Sequence, residues 1–93
     1  MPKIHEVITE ETWCKDIARD KDNNVVDAFS REACKWCLYG WISKIYGAYG
    51  AYQLSGNITH KVINALGKPI GAWNDASERT FQDVLELCIR LDI

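Results

Sequence analysis

Residues 31–46 read REACKWCLYGWISKIY, and this stretch decides the fold. Cys34, Cys37, Leu38, Trp41 and Ile45 recur at helical spacing, which puts them on one face. The spacing predicts a helix from about Arg31 to Tyr46, capped by Asp27 or Ser30. Ala33, Trp36, Gly40 and Ile42 widen the apolar surface, so burial on more than one side is expected. Gly40 inside a helix costs about 1 kcal/mol against Ala. It predicts a close backbone approach, expected from another helix.

Working outward toward the N-terminus, Asp16-Ile17-Ala18-Arg19 and Val25-Val26 flank the polar run Asp20 to Asn24. Two short β-prone pieces around an Asp/Asn turn predict a hairpin. Ahead of it, Thr9 before Glu10 and Glu11 predicts a short helix to about Lys15. On the other side, Asn57 caps a helix to about Leu66, with Ile58, Val62, Ile63 and Leu66 inward and Gly67 as its stop. Lys68-Pro69 leads an extended or turning segment into Ile70-Gly71-Ala72-Trp73. Thr80-Phe81-Gln82-Asp83 resembles a capping box with Asp in place of Glu, and Ser77 is the alternative cap. Phe81, Val84, Leu85, Cys88 and Leu91 form the inward stripe of that last helix. The expected fold is mainly α with a small β-hairpin (α+β), compact, of about four helices. Residues 1–93 are expected to be a single domain, with 46–56 a Tyr/Gly/Ala-rich connector inside it.

Composition bounds the function. The 93 residues are 47% hydrophobic and 26% charged, which fits a folded chain rather than a disordered one. A net charge of −2 excludes a uniformly basic protein held to DNA by bulk charge. The charges are segregated, however. Residues 1–32 and 75–93 each sum to −3, whereas 33–74 hold four Lys and no acid. Seven aromatics share that middle: Trp36, Tyr39, Trp41, Tyr46, Tyr49, Tyr52 and Trp73. Basic groups among aromatic faces suit single-stranded nucleic acid or a nucleotide. A buried helix that excludes carboxylates for solvation reasons reads the same way. Met1-Pro2-Lys3-Ile4-His5-Glu6 is no secretory signal, and the uncharged run Ile45 to His60 is broken by Gly, Gln53 and Asn57. A cytoplasmic location, no membrane contact and reduced cysteines are therefore expected.

Three stretches resemble a small family of uncharacterised bacterial and bacteriophage domains. They are Trp13 with Ile17-Ala18-Arg19-Asp20, then Ala33 with Trp36-Cys37-Leu38 and Gly40, then Trp73-Asn74-Asp75 with Arg79-Thr80 and Asp83-Val84. The resemblance spans roughly Trp13 to Leu91. It departs at the Tyr-Gly-Ala segment and at Trp41, where relatives usually carry Ala. It implies a fold pattern and a polar motif, not a reaction.

Candidate chemistry is sparse. Cys34 and Cys37 stand at i, i+3 inside a presumed helix, away from Cys14 and Cys88, so neither a zinc site nor a cofactor is expected. Asn74, Asp75 and Arg79 crowd the start of the last helix, and Arg19 sits on the hairpin. Such a group binds an anion or a partner, or simply locks a loop onto the core. Tyr49 and Tyr52 belong to Tyr-Gly-Ala-Tyr-Gly-Ala-Tyr (46–52) and are expected to form a self-association or partner surface. The expected function is a small non-enzymatic binding or inhibitory accessory protein. In its specific form it is phage-encoded and acts on a host defence complex. The alternatives are nucleotide or single-stranded nucleic-acid binding through the basic aromatic middle, and a small hydrolase using Asp75 or Cys14.

Overall fold

In the computed structural model, which describes residues 2–47 and 52–93 (the side chains of 52 and 53 excepted), the helix of the deciding stretch starts late. Helix α2 runs Leu38–Tyr46, not from Arg31. Lys35–Trp36 is a strand instead, β2, pairing antiparallel with β1, Ala18–Arg19, in the register Ala18 with Trp36 and Arg19 with Lys35. Cys37 is the turning point: its backbone is extended, and its Sγ accepts the Gly40 N–H at 3.4 Å. The short ladder holds Trp36 under the first turn of α2. A Cβ at Gly40 would stand 3.1 Å from Trp36 Cβ and 3.5 Å from the Ile17 carbonyl oxygen. The close approach at Gly40 is real, but a strand makes it rather than a helix. Trp36 in turn meets Trp41 edge-on at 5.3 Å, with Lys44 Nζ 4.6 Å from its ring centre.

The hairpin therefore has a different second strand from the one expected. Val25 bridges Arg19 on the outer side of β1, and the Val26 N–H reaches the Ala18 carbonyl. Trp13 bridges Trp36 in parallel on the far side of β2. Four short pieces thus lie side by side, in the order 25–26, β1, β2, Trp13. The turn between β1 and Val25 closes on Asp20, whose Oδ1 accepts the Asp22 and Asn24 N–H groups. Asn23 there takes the left-handed conformation, φ 66°, which Asn tolerates.

Around this sheet the helices follow local rules. Ile4–Val7 forms α1, with Glu6 accepting the Lys3 N–H at its start. The helix expected after Thr9 is a single 3-10 turn, Glu10–Thr12, because the Thr12 hydroxyl takes the Thr9 N–H and the chain then extends into the Trp13 bridge. Helix α3, Tyr52–Leu66, begins before the expected cap at Asn57 and ends where Gly67 turns left-handed at φ 71°. Of the expected connector, Tyr46 closes α2, 48–51 lie outside the described residues, and 52–56 open α3. Pro69 leads directly into α4, Ile70–Asn74, a short helix in place of an extended segment. Helix α5, Phe81–Leu91, opens with the expected capping box: the Thr80 hydroxyl accepts the Asp83 N–H, and Asp83 accepts the Thr80 N–H.

Helix α2 is central, in contact with α1, α3, α4 and β2. Leu38 and Ile42 from α2, Val62 from α3, Val84 and Cys88 from α5, and Ile4 and Ile93 near the chain ends are fully buried in one cluster. The Cα radius of gyration is 12.3 Å, matching the roughly 12 Å of a compact domain this long. The fold is α+β, five α-helices and a two-stranded antiparallel hairpin among the described residues. None of the helices is long and apolar enough to cross a membrane.

Candidate functional site

The polar motif folds around Asn74. It ends α4, is wholly shielded from solvent, and uses every hydrogen-bonding position of its amide. Its Oδ1 accepts the Trp13 indole N–H at 2.8 Å and the Leu38 backbone N–H at 3.0 Å. Its Nδ2 donates to the Cys14 carbonyl at 3.2 Å and to Asp75 Oδ1 at 2.9 Å. One side chain thus ties the segment after the 3-10 turn, the N-terminus of α2 and the end of α4 together. A buried amide with all its groups paired stabilises; one left unpaired would cost about 1–3 kcal/mol per group.

Asp75 continues the chain of contacts outward. Its Oδ1 also accepts the Asp16 N–H at 2.9 Å, holding Asp16 in a left-handed conformation at φ 73°. Asp16 Oδ2 pairs with the Arg19 guanidinium, which donates as well to the Asn23 carbonyl at 2.8 Å. Asn74, Asp75, Asp16 and Arg19 are therefore one connected network. Arg79 is not part of it. Its Nε donates to the Trp73 carbonyl at 2.8 Å, its guanidinium lies 4.1 Å from the Trp73 ring centre, and it faces Asp83 at 3.7 Å. It pairs with neither Asp20 nor Asp75. Trp73 is half-buried. Tyr49 lies outside the described residues, and so does the side chain of Tyr52, the first residue of α3.

Beside the network opens a cleft of about 590 Å³, within the range of ligand and peptide sites. Asp16 and Asp75 stand at its rim, Cys37 at its floor, and Ile17, Val25, Tyr39 and Gly71 along its walls. Ile17 is 56%, Val25 57% and Tyr39 54% exposed; Phe29 and Ile89 are as exposed or more so but do not line the cleft, so it is the grouping of the three that marks it. Sequence reasoning missed these four wall residues. Tyr39 had a legible signal: it falls off the Cys34, Cys37, Leu38, Trp41, Ile45 stripe, so it points away from the core. Of the Val25-Val26 pair, alternation requires one to face out.

Burial favours the protonated form of three of the thiols. Burial pushes Cys14 up to about 11 and Cys88 up to about 12, and burial raises Cys37 despite the N–H bonds it accepts. Cys34 is exposed in the turn before β2, so the helical setting expected for Cys34 and Cys37 does not exist. Among the described residues, no group of three or more His, Cys, Asp or Glu is placed to hold a metal. Of the aromatic middle's described side chains, Trp41 and Tyr46 are buried, Trp36 and Trp73 carry Lys44 and Arg79 over their rings, and Tyr39 is exposed.

A family model described as a family of unknown function, DUF6197, matches residues 2–90. No curated protein and no solved structure matches the chain.

Proposed function

The chain belongs to this family of unknown function, DUF6197, and we propose that it acts as a non-enzymatic binding module for a protein partner. The observation that carries this reading is the gathering of Ile17, Val25 and Tyr39, each more than half exposed, on one cleft. A chain with one modest core to fill gains by burying such side chains, and leaving three together outside costs solubility unless they bind. The cleft stands beside a hydrogen-bonded network in which Asn74 holds the start of α2 and Asp75 holds Asp16. Burial favours the protonated Cys14 thiol, and His5 faces Asp92 rather than Cys14 or Asp75, which weighs against the hydrolase alternative. Aromatic faces already covered by Lys44 and Arg79 weigh against stacked nucleic acid.

In its narrowest form the proposal makes the protein a phage-encoded cytoplasmic accessory factor that inhibits a host defence complex, in keeping with the resemblance to bacterial and bacteriophage domains. The Tyr49 and Tyr52 segment remains a proposed self-association surface, which sedimentation of the Tyr49→Ser, Tyr52→Ser variant tests. For the cleft, Ile17→Glu with Tyr39→Ala is expected to keep the far-UV circular dichroism of the wild type and to lose partner binding. Ile89→Ser, an exposed apolar residue on α5 outside the cleft, should retain binding. A folded cleft variant that binds as well as the wild type would sink the reading.

A further inference from the structure

The cleft has three further features that describe what would fill it. The first is charge. Asp16 and Asp75 both stand at the rim, and only Asp16 is paired, with Arg19. Asp75 has spent one oxygen on the Asp16 and Asn74 hydrogens, and its other oxygen accepts nothing among the described residues. Asp75 therefore keeps a carboxylate oxygen without a direct partner beside an apolar wall, while the nearby Lys15 ammonium is held by the Ala76 and Ser77 carbonyls.

The second feature is an open backbone edge. The bonds that join Val25 to β1 are made by its neighbours: the Asp20 N–H reaches the Asn24 carbonyl, and the Val26 N–H reaches the Ala18 carbonyl. In an antiparallel pair this pattern turns the N–H and C=O of Val25 away from β1. They have no hydrogen-bond partner among the described residues. An edge of this kind is a template for an added strand.

Gly71 supplies the third. It lies in α4 on the cleft wall, and a Cβ there would meet no atom within 4 Å. Nothing inside the fold requires a glycine at this position, although glycine is a poorer helix former than alanine. Its effect is to leave the wall flush, so that a body from outside can come close to the α4 backbone.

From these we infer that the cleft takes a segment of a partner protein in which an apolar side chain is flanked by lysine or arginine. The apolar side chain enters between Ile17, Tyr39 and Gly71. The cation meets Asp75, and the free N–H and C=O of Val25, which face away from β1, meet the part of the segment that runs on past the cleft. This rests on the binding-module reading and adds the chemistry of the bound segment to it.

The test is selection of a displayed random peptide library against the purified full chain, followed by titration of the recovered peptides. Recovered segments should place Lys or Arg beside Val, Ile, Leu or Phe, and should shift the amide resonance of Val25. Ile17→Glu should weaken them by about tenfold or more. Asp75→Asn keeps the Oδ1 acceptor, and should weaken them by about three- to tenfold and flatten their salt dependence. Gly71→Ala should weaken them without lowering the denaturation midpoint. Segments that depend on Ile17 but show no basic preference would overturn this inference and leave the binding module standing. A library that yields no segment sensitive to Ile17→Glu would overturn both. A thymidine oligonucleotide that moved the Ile17, Val25 and Tyr39 resonances would replace the peptide with nucleic acid, and so overturn the inference as well.

Discussion

Asn74 shows how much one residue decides. Its partners Trp13 and Leu38 lie 61 and 36 positions away in the chain, so its amide closes the fold rather than a local turn. Asn74→Ala would leave the buried Leu38 N–H, the Cys14 carbonyl and the Trp13 indole without their partner. We expect a loss of about 3 kcal/mol or more, summed over these groups, read as a fall in the urea midpoint. Against a total stability on the order of 5–15 kcal/mol that is a large fraction. Asp75→Ala releases only the Asp16 N–H, which is exposed, and one Asn74 hydrogen, and should cost about 1–3 kcal/mol. An unchanged midpoint with partner binding lost would instead make Asp75 purely a binding residue. The Trp73-Asn74-Asp75 motif was legible in the sequence through its resemblance to the family pattern and as part of the polar group crowded before the last helix. Which of them anchors the fold was not, since that depends on contacts 36 and 61 residues distant.

At the level of elements, the apolar stripe of residues 34–45 carried two structures in one pattern. Cys34, Cys37, Leu38 and Trp41 fit helical spacing, but a piece as short as Lys35–Trp36 has no period of its own. Pairing with Ala18–Arg19 supplies backbone bonds that a longer helix would have had to make locally, and it seats Trp36 against Gly40. Tertiary pairing overrode local preference there. The α5 boundary, set by the Thr80 and Asp83 side chains within one turn, could be read directly. The two glycines facing these elements should respond in opposite ways. Gly40→Ala forces a methyl against Trp36 Cβ at 3.1 Å, and should destabilise by about 1–3 kcal/mol. Gly71→Ala meets nothing, and should stabilise by about 0.4–1 kcal/mol through a less flexible unfolded chain. Thermal or urea midpoints of the two variants, measured side by side, check both signs. A stabilised Gly40→Ala would mean that Trp36 does not pack where it is described.

Across the whole molecule, the segregated charge follows from the packing. The acid-free middle supplies α2, α3 and α4, which hold much of the core, while carboxylates gather at turns and helix ends that can hydrogen-bond them. Asp92 is held below the usual carboxylate range mainly by its hydrogen bond from Lys3. Asp83 is lowered mainly by the Thr80 N–H, and Asp20 mainly by the Asn24 N–H. A depressed carboxyl contributes stability that is complete above its unfolded value, near pH 4, and is lost as pH falls through the folded value. Stability should therefore decline below about pH 4. The thiols act at the other end. Cys88 and Cys14 are raised by burial to about 12 and about 11, against an unfolded value of about 8.5. A raised thiol keeps its proton in the folded chain after the unfolded chain has lost it, so its contribution is complete below about pH 8.5 and disappears as pH rises through the folded value. By pH 10 Cys88 should have withdrawn on the order of 2 kcal/mol, and Cys14, only half-buried and so screened by solvent, a smaller amount. Urea unfolding under reducing conditions at pH 7 and pH 10 measures the loss. Cys88→Ala starts from a lower midpoint, because it opens a cavity, but it should lose visibly less between the two pH values than the wild type does. If the variant and the wild type decline in parallel, Cys88 does not titrate on unfolding, and the alkaline loss belongs to other groups, among them the buried Tyr46, whose hydroxyl burial also raises.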